Sequence, residues 1–146
     1  MMKYVEVETM TQSNVPNINN VVYSSETINK MIDECKDRGI KLCFDNAFTK
    51  TPIEYNFHIV DPASIIGEVT KIYDGKIECM IYDKYESLFD ELLVEGYRPG
   101  MRYTGKVSKH NDDEIKEVTD IKLISYDMIK KRWISNEDNV FTFKEF

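Results

Sequence analysis

The sequence is poor in the residues that build metal, redox and disulfide sites. Its 146 residues include two histidines and three cysteines, and no two cysteines form a Cys-x-x-Cys pair. A structural zinc site takes four such ligands, usually in closely spaced pairs, so we expect neither a metal nor another cofactor. The odd number and wide spacing of Cys35, Cys43 and Cys79 are typical of reduced thiols in a cytosol.

Long apolar runs and phosphate-binding loops are also missing. No stretch approaches the ~20 apolar residues of a membrane-spanning helix. The first residues alternate and carry acidic side chains where a signal peptide would be apolar. No Gly-x-Gly-x-x-Gly occurs, and residues 100–106, with their two glycines and a lysine, fall in a predicted strand. Gly105 there indicates a bulge. We therefore expect a soluble protein that is not secreted and has no membrane partner.

Basic residues are outnumbered by acidic ones, 19 against 26, which gives a formal net charge of −7. A general nucleic-acid binder needs a basic face to neutralise phosphates, so that class is not expected. The same charge would attract a basic protein surface. Alanine occurs twice and arginine four times, while Ile, Lys, Asn and Tyr are abundant. This usage indicates an A/T-rich genome, cellular or viral.

Hydrophobic periodicity predicts two main helices. The first covers residues 26–38, with Ser24 or Ser25 as the N-cap. Gly39 is predicted to stop it, because glycine tolerates positive φ. A second apolar stripe predicts another helix, which ends at Gly96.

Strands are predicted from alternating apolar residues and from turn chemistry. The clearest feature is a hairpin in which two β-rich runs are joined by Asp74-Gly75, a dipeptide preferred in type I′ turns. Residues 97–100 are predicted to be a turn. The predicted strands are 3–9, 40–44, 65–73, 76–82, 101–108, 114–126 and 140–143, with a short helix around residues 128–133.

This order of elements predicts an α+β domain, a small mixed or antiparallel β-barrel with two main packed helices. Residues 1–20 would form an N-terminal strand and polar loop. Residues 21–127 would form the β-barrel-like core domain, and residues 128–146 a C-terminal tail with a short helix and strand.

Residue types for nucleophilic catalysis are present, but the sequence shows no nucleophile–base pair. A Ser, Cys or Thr nucleophile needs a base, normally His, and a group that orients it. His58 lies between two apolar residues and is predicted to pack or hydrogen-bond, whereas His110 lies in an acidic loop. Cys43 is predicted to be a small core residue. An enzyme is therefore disfavoured.

Several segments, taken in order, resemble the prohead maturation proteases of tailed phages. Residues 17–24, NINNVVYS, with the helix after them, are similar to the N-x-N-x-x-x-Y opening of that family. Residues 64–69, SIIGEV, are similar to its next strand. The Asp74-Gly75 hairpin, the second helix, the strand at Gly100 and the closing strand at residues 120–127 continue in the same order. The resemblance implies a small β-barrel with packed helices, as in herpesvirus assembly proteases, and Ser and His as catalytic residues.

The matching positions do not carry those catalytic residues. The nucleophile of the family lies in a strand pattern like Gly-x-Ser-x-Arg-x-x-Gly, but residues 100–105 read GMRYTG and contain no serine. A methionine cannot attack a carbonyl, and Thr104 is not where the pattern has its hydroxyl. The base should be a His after the first helix, where residues 43–46 read CFDN. Only Ser64, Thr104 and His58 are left as candidate catalytic residues.

These observations favour a non-enzymatic phage virion protein, an auxiliary, decoration or structural component that binds the major capsid protein or another virion protein. We expect it in the virion and the host cytoplasm, with a homo-oligomer as a further expectation. The predicted partner contacts are the aromatic side chains of the tail, Trp133, Phe141, Phe143 and Phe146. The last segment either adds a strand to a neighbour's sheet or completes the chain's own barrel.

Two alternatives stay open. The first is a capsid maturation protease of the serine type that uses one of the candidate residues above. The second is an acidic anti-defence protein that inhibits a basic host nuclease, since opposite charge steers such partners together.

Overall fold

The computed structural model describes residues 3–16, 21–44, 60, 62–109 and 115–130. This part of the chain folds into seven strands and two helices, with short 3₁₀ turns at Pro62–Ser64 and Asp83–Tyr85. The helices are α1 (Ser25–Cys35) and α2 (Glu86–Val94). The strands are β1 (Lys3–Glu8), β2 (Val21–Val22), β3 (Lys41–Cys43), β4 (Ile65–Tyr73), β5 (Lys76–Ile81), β6 (Tyr97–Lys109) and β7 (Lys116–Lys130).

All seven strands belong to one mixed sheet, which confirms the predicted α+β class. The order is β1-β5-β4-β3-β7, and β7 also pairs with the short β2 and, antiparallel, with β6. The β2–β7 and β3–β7 pairs are parallel, and the others are antiparallel. None of the helices in the described ranges is long and apolar enough to cross a membrane.

The predicted barrel is wrong, because the sheet does not close. Among the described residues β1 and β6 form no ladder, although the Met10 N–H donates to the Pro99 carbonyl at 2.9 Å. Closure needs a continuous ladder between the two end strands. This contact lies beyond the end of β1, and Pro99 has no N–H to donate in return. The sheet therefore curves back on itself without becoming a barrel.

Helix α1 begins as predicted but ends differently. The Ser24 side chain accepts a hydrogen bond from the Thr27 N–H at 3.1 Å, which caps the first turn. The helix ends at Cys35, with Lys36 as a right-handed C-cap whose N–H donates to Asp33. The positive-φ glycines in the described ranges are Gly75 and Gly96, so the predicted role of Gly39 is wrong. A tightened last turn satisfies the end of the helix without a left-handed residue.

The β4–β5 hairpin is confirmed at the predicted turn. Tyr73 pairs with Lys76, and Gly75 takes a φ of 89° in the two-residue turn between them. Near the start of β4, Gly67 lies so close to β5 that an added Cβ would clash with the Met80 carbonyl oxygen. Only glycine permits this approach of the two strands.

The long β6–β7 pair corrects two predictions. Residues 97–100 are not a turn, because Tyr97 to Gly100 pair with Lys130 to Asp127 as the first part of β6. Residues 128–130 are not helical, because they form the end of β7. Met128 and Ile129 are adjacent and both buried, so this part of β7 is covered on both faces of the sheet. The rest of the predicted tail helix and the strand at 140–143 lie outside the described residues. The division into 1–20, 21–127 and 128–146 stays a prediction.

Three tyrosines share the core beneath α1. Tyr23, Tyr103 and Tyr126 are almost wholly buried, and the hydroxyl oxygens of Tyr23 and Tyr103 are 3.0 Å apart. The rings of Tyr23 and Tyr103 meet edge to face, with centroids 5.9 Å apart. Burial raises the pKa of Tyr23 to about 12 and also raises the pKa values of the other two tyrosines. The core thus holds three neutral phenols, of which those of Tyr23 and Tyr103 are paired with each other.

The Gly67→Ala variant tests the close approach of β4 and β5. We expect the added methyl to lower the free energy of unfolding by on the order of 1–3 kcal/mol, because a backbone oxygen cannot move aside as a side chain can. Gly39→Ala is the matched control, since an added Cβ there meets nothing within 4 Å. Urea unfolding followed by circular dichroism measures both. Equal effects of the two variants would contradict this account.

The tyrosine cluster predicts a loss of stability at alkaline pH. An unfolded tyrosine loses its proton near pH ~10, whereas Tyr23 keeps it to about 12. Above pH ~10 the unfolded chain therefore binds fewer protons, so the free energy of unfolding falls as the pH rises toward 12. The Tyr23→Phe, Tyr103→Phe double variant should show a shallower fall in urea titrations between pH ~9 and ~11.5. The exposed Tyr4→Phe control should keep the original slope.

Candidate functional site

The stretch that resembles the protease nucleophile strand, residues 100–105, lies inside β6 and beside β7. Its first residues pair in register, Gly100 with Asp127, Met101 with Tyr126 and Arg102 with Ser125. Counted from Gly100, the serine position of the pattern Gly-x-Ser falls on Arg102, one residue after the methionine considered in the sequence analysis. Met101 and Arg102 are 1% and 2% exposed, so neither side chain is open to a substrate from solvent.

Arg102 is held in a buried, two-pronged ion pair. Its Nε donates to Asp127 Oδ2 at 2.8 Å and its Nη2 donates to Asp127 Oδ1 at 3.0 Å. Asp127 is the diagonal neighbour of Arg102 across the ladder, a position that a long side chain can reach. The fork of the guanidinium matches the two carboxylate oxygens, which is the strongest arrangement for such a pair.

Ser125 completes this cluster. Its hydroxyl donates to Asp127 Oδ1 at 2.8 Å, and both side chains are fully buried. Asp127 therefore accepts at least three hydrogen bonds, two from Arg102 and one from Ser125. No buried side-chain nitrogen or oxygen in the described ranges lacks a hydrogen-bond partner. The charges are thus desolvated but fully compensated, which is the condition for tolerating an ion pair in a core.

The cluster has the chemistry of a structural contact that stabilises the pairing of two strands. A guanidinium stays protonated and is no nucleophile. The Ser125 hydroxyl donates a hydrogen bond to a carboxylate whose charge Arg102 already neutralises. The same Asp127 lies beside Cys43 in the β3–β7 ladder. The cluster therefore joins β6 to β7 at the level where β3 also pairs.

The structure does not bring the candidate nucleophiles together. Ser64 ends a 3₁₀ turn next to Ile65, which pairs with Cys43 at the level of Asp127, and it is 4% exposed. Thr104 pairs with Lys122, five residues along β7 from Asp127. At about 3.3 Å per residue, the two levels are separated by roughly 16 Å. Catalytic roles for Ser64 and Thr104 stay predictions, and His58 lies outside the described residues.

The predicted partner contacts Trp133, Phe141, Phe143 and Phe146 also lie outside the described residues. Within the described ranges no group of three or more His, Cys, Asp or Glu side chains is arranged to hold a metal ion. Large apolar side chains that are exposed in those ranges include Val94 at 88% and Tyr4 at 64%.

The sequence analysis missed the role of Arg102, Ser125 and Asp127. A signal was present, because arginine is rare in this chain and Arg102 stands between Met101 and Tyr103 in a predicted strand. Ser125 and Asp127 also stand two residues apart, on one face of a strand. Reading Asp127 as the last residue before a helical tail hid this pattern.

The comparisons with known proteins agree with the predicted layout. No protein-family model matches the chain, and no curated protein matches it. Among solved structures, the capsid assembly protease gp21 of bacteriophage T4 is similar, with a TM-score of 0.62 and 17% sequence identity. The match covers 86% of this chain and 79% of that chain. The chain thus has a prohead-protease-like fold, which confirms the resemblance at the level of fold.

A double-mutant cycle tests the buried pair. Arg102→Met should lower the free energy of unfolding by about 3–5 kcal/mol, because it leaves the Asp127 carboxylate buried and uncompensated. Asp127→Leu should lower the free energy of unfolding by a similar amount. The double variant should lower it by clearly less than the sum of the two single effects, since it removes both charges. Urea unfolding of all four proteins gives the coupling.

The exposed pair of Lys3 and Asp90, 3.2 Å apart, supplies the matched control. The same cycle with Lys3→Met and Asp90→Leu should show no measurable coupling, because solvent screens both charges. Additive losses at Arg102 and Asp127 would contradict a compensated ion pair.

Proposed function

We propose that this protein is a non-enzymatic phage virion component that binds the major capsid protein as an auxiliary or structural subunit. One observation carries the proposal: in a prohead-protease-like fold, the position of the nucleophile pattern holds Arg102, buried and paired with Asp127. A fold that keeps its layout while this position serves packing is expected where the scaffold, and not the chemistry, is used.

The requirements of acyl transfer support this view. A serine protease needs a hydroxyl within hydrogen-bond reach of a base and open to the substrate. Met101 and Arg102 are buried, and the guanidinium donates two hydrogen bonds to a carboxylate. The hydroxyl of the cluster, that of Ser125, donates a hydrogen bond to the same Asp127 carboxylate and is fully buried. The β6–β7 cluster therefore offers stability and no open nucleophile.

Capsid binding fits the charge and the unassigned aromatic tail. A net charge of −7 favours a partner surface with basic groups. Aromatic side chains such as Trp133 and Phe141 are the residue types that dominate the energy of protein interfaces. The proposal places the protein in the virion and, before assembly, in the host cytoplasm, with self-association on the shell as a further part of it.

An active protease is the second candidate, because the similar T4 protein is a capsid assembly protease. It would have to use Ser64 or Thr104 with His58. A serine-reactive fluorophosphonate probe separates the two candidates. Labelling that Ser64→Ala or Thr104→Ala abolishes would support the protease. An anti-defence inhibitor stays a prediction from the net charge alone.

Co-sedimentation with capsids tests the proposed function. The full chain is expressed with and without the head protein of its source virus, and shells are separated from free protein. We expect stoichiometric recovery on shells, with the capsid protein left at full length. Phe141→Ser combined with Phe143→Ser should reduce recovery several-fold, because interface aromatics contribute disproportionately to binding.

Val94→Ser is the matched control, since this exposed residue lies on α2 and carries no role in the proposal. It should leave recovery on shells unchanged. Absence of the chain from shells, or capsid protein shortened only in its presence, would overturn the proposed function.

A further inference from the structure

A groove runs between the C-terminal end of α1 and the last part of β4, and we call it the edge groove. It has a volume of about 320 Å³. Its apolar lining is formed by Ile32 on α1, Ile40 before β3, and Val69 and Ile72 on β4. These side chains are partly or fully buried by the helix and the sheet. The groove is thus a hydrophobic slot with a helix on one side and a strand on the other.

Among the described residues, the strand side of the edge groove is an open sheet edge. Strand β3 covers β4 through the pairs of Lys41 with Glu68 and Leu42 with Gly67, and the Val69 N–H still donates to the Ile40 carbonyl at 2.9 Å. Beyond Val69, residues 71–73 pair with β5 on their other side. Within the described ranges no strand pairs with the near side of residues 70–73.

An irregularity in β4 lies next to the point where its pairing with β3 ends. The register with β5 shifts between Val69 and Lys71, so Thr70 is the additional residue of a bulge. Its hydroxyl donates to the Glu78 carbonyl at 3.1 Å, which holds the bulge against β5. A bulge bends its strand and increases the twist. In the described part of the chain, the residues before β3 lead out of α1, so no strand continues the line of β3 beside residues 70–73.

The rim of the edge groove is basic, although the protein as a whole is acidic. Lys36, Arg38 and Lys71 line it. Lys36 pairs with Asp33 at 3.2 Å in an exposed contact, and Arg38 donates through Nη2 to the Leu123 carbonyl at 2.9 Å. Lys71 is exposed and forms no ion pair with any residue in the described part of the chain. The rim therefore offers positive charge to a ligand.

From this geometry we propose that the edge groove binds an extended, acidic and apolar peptide segment of a partner protein, which adds as a strand to residues 70–73 of β4. Unpaired backbone groups of a sheet edge give such a segment its hydrogen bonds. Its apolar side chains enter the lining around Ile40 and Ile72. Its carboxylates meet Lys36, Arg38 and Lys71. This inference is independent of the capsid proposal, because it concerns a different surface and any partner with such a segment.

Peptide binding to the full-length chain tests the inference. The probe is the fluorescently labelled peptide Glu-Val-Glu-Val-Glu-Val-Glu with blocked ends, and binding is followed by anisotropy. Methylation of the peptide nitrogens that would face β4 should weaken binding at least about tenfold, because it removes the hydrogen bonds to the strand and keeps the side chains. The Lys-Val-Lys-Val-Lys-Val-Lys peptide should bind much more weakly.

Variants locate the site. Lys71→Glu should weaken binding of the acidic probe several-fold, because it places a negative charge at the rim. Lys84→Glu makes the same change of net charge on the exposed turn before α2 and should leave binding unchanged. Amide chemical shifts should move at residues 38–40 and 70–73 when the probe binds.

Each other outcome overturns the inference. These are no binding of the acidic probe, equal binding of the N-methylated probe, or shift changes away from the groove. They also include a groove already filled in the free protein, by residues 131–146 of the same chain or by a second copy. Nuclear Overhauser contacts to Ile72 and sedimentation velocity detect these last two cases. Because no head protein is present, failure here leaves the capsid recovery experiment unaffected.

Discussion

The buried ion pair between Arg102 and Asp127 is the constraint on which the centre of the sheet depends. It joins β6 to β7 at the level where β7 also takes up β3, so three strands meet at one compensated charge pair. Two desolvated charges are costly unless geometry and hydrogen bonding are complete, and here the fork of the arginine and the Ser125 hydroxyl complete them. A slip of β6 by one residue would turn Arg102 to the opposite face, so the pair also specifies the register.

On the other face of the same strands lies the apolar core with its paired tyrosines. Met101 and Tyr103 alternate with Arg102 along β6 and pack among Tyr23, Tyr126 and Met31 from α1. One strand thus carries an apolar face toward the helix and a charged contact on its other face. Both faces are buried, which leaves β6 without an exposed functional side chain over residues 99–103. This burial is the physical reason why the strand that resembles a catalytic strand is interpreted as structural.

Local chemistry predicted the elements whose causes are local. The Ser24 cap, the Asp74-Gly75 turn and the end of α2 at Gly96 depend on neighbours a few residues away, and all three are found. The wrong predictions concern segments whose secondary structure depends on partners that are distant in sequence. Residues 97–100 and 128–130 looked like a turn and a helix, but each is a strand because the other is its partner. The open sheet could not be predicted either, since closure depends on how β1 and β6 approach in space.

The sequence by itself determined the class of the protein: an α+β chain with a net charge of −7, a hairpin at Asp74-Gly75 and a layout similar to prohead proteases without the serine of the nucleophile pattern. Tertiary structure alone decided that Arg102, in place of that serine, is buried in an ion pair, and which sheet edge is open among the described residues. The pairing of Arg102 with Asp127 spans 25 positions of sequence, and the edge groove joins residues of α1 and β4. The physical reason is that periodicity and turn chemistry act over a few residues, whereas burial, ion pairing and unpaired strand edges depend on which segments the fold brings side by side.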